Sequence, residues 1–125
     1  MATAGVPMMV GTDGGGFKTP GSSIHQEFDE LEKAGLSPLT VLQMATFNPA
    51  RYLGRESTMG QIAPGQNADI VVLDANPIES VQNLHSISAV IRGGRYYTGM
   101  QLEALRQRVA AGRGLLEQTR RPSLN

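Results

Sequence analysis

The chain has no cysteine and no tryptophan among its 125 residues. The missing cysteine excludes disulfides, iron–sulfur clusters and thiolate zinc sites. An excess of one charge is also missing: Lys plus Arg and Asp plus Glu stand at 11 each, which leaves no electrostatic footprint for nucleic acid or an anionic membrane. No apolar run approaches the ~20 residues of a membrane-spanning helix, and no charged-then-apolar leader opens the chain. The expectation is a soluble, cytoplasmic protein. Histidine is scarce, with only His25 and His85, and there is no His-x-His pair.

What is present suffices for one core, since 40% of the residues are hydrophobic. The most informative stretch is Met8-Met9-Val10-Gly11-Thr12-Asp13-Gly14-Gly15-Gly16. A strand-like run over Val6 to Thr12 delivers one carboxylate, Asp13, into a glycine-rich turn. Two readings fit. Asp13 caps its own backbone in an Asx-turn beside glycines that supply positive φ, or it stands at the carboxyl end of a parallel strand, where α/β architectures collect ligands and catalytic groups.

Downstream, helical signals dominate first. Ser23-Ile24-His25-Gln26 has capping-box spacing, and Ile24, Phe28 and Leu31 fall on one face before Gly35 closes the helix. Ser37-Pro38 starts a second helix with an N-cap and a first-turn proline, and Asn48-Pro49 starts a third, short one that Gly54 ends. Beyond Gly54 the pattern turns extended. Pro64-Gly65 marks a turn, and Ala68 to Leu73 is a β-branched run suited to a strand buried on both faces. Ile87 to Arg92, Gly93-Gly94 and Arg95 to Thr98 form a hairpin whose two glycines accept the φ values of a tight turn. From Met100, Leu102, Leu105, Val109 and Leu115 are spaced for a helix that Gly112 and Gly114 weaken. Thr119 to Asn125 should fray.

Some features read as bland. Arg106, Arg108, Arg113, Arg120 and Arg121, against Glu103 and Glu117, make a solvated basic helix face and tail. Gly14-Gly15-Gly16-Phe17-Lys18-Thr19 is not a phosphate-binding loop, because Phe17 stands where its last glycine must be and Thr12 where its first must be. His85 lies in a polar stretch and reads as an exposed loop residue.

The order of these blocks resembles a known family. Gly11-Thr12-Asp13, His25-Gln26-Glu27-Phe28, Ala34 to Leu39, Ala45-Thr46-Phe47-Asn48-Pro49-Ala50, Leu53-Gly54 and Gly60 to Asp74 are similar, in that order, to the carboxy-terminal part of metal-dependent amidohydrolases. The branch they most resemble is the imidazolonepropionase-like and Xaa-Pro dipeptidase-like group. The resemblance implies an α/β fold: the end of a (β/α)8 barrel, with its last strand and following helices over residues 1–58. Part of a small β-sandwich follows over 59–99, with a carboxy-terminal helix and tail over 100–125. It implies that Asp13 is a metal ligand and the catalytic proton acceptor for the hydrolytic water, a pairing that suits general-base chemistry beside a cation. It also implies that His25 touches substrate from the start of a helix at the barrel mouth, and that Asp69 is structural.

The same resemblance shows what is missing. A full barrel takes about 250 residues, and metal sites of this kind need three or four converging protein ligands, of which this chain offers Asp13 alone. The family's divalent metal, zinc before others, is therefore expected to bind this chain alone weakly or not at all. Hydrolysis of a small amide or dipeptide is expected only if an amino-terminal polypeptide complements the chain. The alternative is a non-catalytic module that self-associates or binds another protein. Because the Val6–Thr12 strand would lack both barrel neighbours, a homo-oligomer that covers the edge is expected.

Overall fold

Ser37-Pro38 starts a helix as expected: Ser37 Oγ accepts the Thr40 N–H at 3.2 Å, and α2 runs Pro38–Ala45. This is seen in a computed structural model that describes residues 6–13 and 21–120, with side chains as far as residue 112. The helix before it, α1, spans Ser23–Lys33. It closes at Gly35, whose φ of +90° lets the Gly35 N–H reach Glu32 O and the Leu36 N–H reach Leu31 O. At its start the expected capping box does not form. Ser23 is already helical, and the boundary lies at Ser22, whose carbonyl accepts the His25 and Gln26 N–H groups. The short α3 follows over Phe47–Tyr52.

The extended half holds a three-stranded antiparallel sheet in the order β1 (Ile70–Leu73), β2 (Ile87–Arg92), β3 (Arg95–Thr98). Gly93 and Gly94, at φ +56° and +79°, make the tight turn as expected. Asp69 braces it: its Oδ2 accepts Arg92 Nη1 at 2.6 Å and its Oδ1 accepts the Gly93 N–H at 2.7 Å. Between β1 and β2 lies a 3-10 helix, Val81–His85, capped by Ser80. The final helix, α4, runs Gly99–Arg120 without a break at Gly112.

Two expectations are corrected. The stretch Val6 to Thr12 is not a strand among the described residues. A barrel strand needs neighbours on both sides, and here the helices take its polar groups instead: the Val10 N–H donates to Met44 O at 3.1 Å, and Met8 O accepts Asn48 Nδ2 at 2.8 Å. Nor is β1 buried on both faces, for it pairs only with β2 and leaves Val71 54% exposed. The glycine-loop segment 14–20 and the tail 121–125 lie outside the described residues.

The core sits where α1 and α2 meet the 3-10 helix. Val41 and Val81 are fully buried, with Phe28 and Leu84 beside them and Val10, Ile24, Leu31, Leu36 and Leu73 packed around. Gly60 seats the segment after α3 against that helix. A Cβ there would lie 2.5 Å from Ala50 Cβ, and φ is +95°.

Candidate functional site

Residues 8–13 cross the helical layer, anchored by the two hydrogen bonds to α2 and α3, and bring Thr12 to the flank of α1. There Thr12 and the α1 side chains Gln26, Glu27, Glu30 and Lys33 line an open polar cleft. Asp13 follows immediately. It is exposed, and its φ of +39° makes it the one described non-glycine residue in the left-handed region, a conformation aspartate tolerates better than most residues. Neither Asp13 nor His25 is among the cleft's walls.

His25 points to a different neighbourhood. Its half-buried ring meets Phe28 edge-on at 5.8 Å between centroids, and lies 4.9 Å from the His85 ring at a tilt of 43°. Its Nδ1 is buried without a hydrogen-bond partner. Burial pushes the pKa of His25 down, and the neighbouring His85 adds to this; Asp29 pulls the other way, while Arg106 from α4 pushes down further.

Asp29, one turn along α1 from His25, links the cleft to this cluster. Its Oδ1 accepts from Gln82 Nε2 at 2.8 Å and lies 2.8 Å from His85 Nε2. An ionised carboxylate only accepts, so Nε2 is the nitrogen of His85 that carries the proton. One turn further, Glu32 Oε1 accepts the Val81 N–H at 3.3 Å. Two acidic side chains of α1 therefore hold the 3-10 helix, and His85, exposed as expected, belongs to that helix rather than to a loop. The i, i+4 pair His25 and Asp29 was readable as one helix face. Nothing local placed His85 against it, 56 positions from Asp29.

No group of three His, Cys, Asp or Glu side chains able to hold a metal exists among the described residues. A lone exposed carboxylate does not meet the requirement for converging ligands, so the described residues do not by themselves fit a metal ion. No helix among them is long and apolar enough to cross a membrane.

Relatives of known sequence and structure say to which larger fold these helices and this antiparallel sheet correspond. Residues 1–96 match the model of the amidohydrolase family, and the chain belongs to that family. It is 31% identical to ochratoxinase of Aspergillus niger over 101 residues, 77% of this chain and 20% of that enzyme. Imidazolonepropionase of Shouchella clausii is 32% identical over 95 residues, 72% of this chain and 20% of that protein. A crystal structure of a Xaa-Pro dipeptidase with methionine bound in its active site superposes with a TM-score of 0.70 at 32% identity, covering 78% of this chain and 24% of that one. The chain thus spans about a fifth of the length of these curated relatives.

Proposed function

We propose that this chain is the carboxy-terminal part of a metal-dependent amidohydrolase that cleaves a C–N bond in a small amide or dipeptide when an amino-terminal portion supplies the remaining ligands. The observation that carries this reading is the position of Asp13, exposed at the end of Gly11-Thr12-Asp13 within the stretch matched to the family. In this reading zinc, or another divalent ion, is held mainly by residues outside this chain and supplies the charge that activates water. Asp13 accepts the proton of the attacking water and returns it to the leaving nitrogen. His25 contributes to substrate affinity.

The test is to co-express the chain with the amino-terminal portion of a related Xaa-Pro dipeptidase, then measure bound zinc and dipeptide hydrolysis. The chain alone should carry less than one equivalent of zinc and no activity, and the assembled pair should have both. Asp13→Asn keeps the shape of the side chain but cannot take the proton; turnover should fall about 10²–10⁴-fold with assembly unchanged. Equal turnover would leave Asp13 as a turn residue only. His25→Ala should raise KM more than it lowers kcat.

A second reading, a self-associating or protein-binding module without catalysis, is favoured by the apolar side chains left open on the sheet: Val71 is 54% and Tyr96 57% exposed. In its self-associating form the purified chain makes a homo-oligomer, and light scattering that finds a folded monomer at micromolar concentration rules that form out.

A further inference from the structure

We propose that His25, Asp29 and His85 form an acid-sensitive clasp between α1 and the 3-10 helix, closed while His25 is neutral and opened when His25 takes a proton. The closed state is the one described above. The His25 ring fills the space between Phe28 and His85, and Asp29 takes hydrogen bonds from His85 and Gln82. The His85 contact does not depend on the charge of that ring, because Nε2–H donates to Asp29 in the neutral and charged ring alike.

A proton on His25 has no such accommodation. Both nitrogens of an imidazolium carry hydrogen, so the buried Nδ1 would hold an N–H with no acceptor. The charged and titratable groups that bear on His25 come from three elements: Asp29 from its own helix, His85 from the 3-10 helix and Arg106 from α4. Arg106 is cationic, and both it and His85 work against a charge on His25. The one carboxylate is already engaged by His85 and Gln82, while Glu32 is engaged by the Val81 N–H. The ring escapes this by leaving its seat, and the α1 contact with the 3-10 helix goes with it.

The sign follows from linkage. The pKa of His25 in the folded chain lies below the ordinary histidine value of 6.5, so between the two values the open form binds the proton and the closed form does not. The clasp is at full strength above the unfolded value and weakens as pH falls through 6.5 toward the folded one.

Amide hydrogen exchange by NMR on the whole chain, corrected for intrinsic rates, reads this directly. Between about pH 7.5 and about pH 5.5, protection in α1 and Val81–His85 should fall relative to the β2–β3 hairpin. The fall should be severalfold and at most about tenfold, because this range ends about one unit below the ordinary histidine value. His25→Phe fills the seat with a ring that cannot titrate and should remove the pH dependence. Should that variant fail to fold, His85→Gln serves: it keeps a donor for Asp29, removes a neighbour that pushes the His25 pKa down, and should raise the His25 midpoint. Unchanged protection across this range, an acid-induced loss in His25→Phe as large as in the parent, or a His25 ring that titrates at or above 6.5 would each overturn the clasp.

Discussion

The helices and the sheet of this chain solve the problem of apolar surface in opposite ways. Around α1, α2 and the 3-10 helix, the chain covers side chains with side chains of its own: Val41 and Val81 are sealed, and Phe28 and Leu84 nearly so. In the three-stranded sheet Ala89 alone is buried among the described strand residues, while Val71, Val72 and Tyr96 face outward. Burial of apolar area is the main favourable term in folding. Among the described residues the helical region therefore holds most of the buried apolar surface, whereas the sheet leaves apolar side chains open.

The sharpest way to break the contrast is Phe28→Ala. The change opens a cavity at the centre of the helical core and should cost about 3–5 kcal/mol, most of the stability of a small domain. Urea unfolding checks this, and a cost under about 1 kcal/mol would move the stability elsewhere. Gly60→Ala should come next. It forces a β-carbon against Ala50 in a backbone that disfavours one, at about 1–3 kcal/mol, and a thermal melt close to the parent would show that this joint yields. Ser37→Ala removes the cap of α2 and should cost about 1 kcal/mol by the same urea titration. On the sheet, Val71→Lys should shift the stability of the isolated chain by less than about 0.5 kcal/mol, yet weaken its assembly with an amino-terminal portion or a second copy. If it unfolds the chain instead, the sheet is not an open region.

Local chemistry was readable at most places where the cause was local, the capping box expected at Ser23 being the exception. Ser37-Pro38, Gly35 and Gly93-Gly94 announced a start, a stop and a turn, because a cap, a left-handed residue and a tight hairpin each need a particular residue type. The order of motifs likewise pointed to the amidohydrolase family. Where neighbours decide the outcome, the residues alone misled. Met8-Met9-Val10 has the apolar run of a strand, but strand pairing needs a partner, and Met44 and Asn48 claimed its backbone first. The β-branched run of β1 could not reveal that one of its sides would stay open. The pairing of Asp29 with His85 was invisible because it spans 56 positions and rests on a 3-10 helix with no sequence signature. In α4 the penalty of about 1 kcal/mol for a glycine at position 112 is outweighed by the helix formers around it.

That the core closes only when Val81 and Leu84 reach Phe28 and Val41 has a consequence for synthesis on the ribosome. The helices emerge first, with their apolar faces uncovered, and must wait for the 43 residues from Leu42 through Leu84 to follow. At about 5–20 residues per second this takes roughly 2–9 s, ample time for a chaperone or another nascent chain to find them. Ribosome-bound chains stalled so that residue 78 is the last outside the exit tunnel should leave α1 and α2 open to protease, and chains about ten residues longer should protect them. Equal protection at both lengths would mean that the helices cohere before their partner arrives.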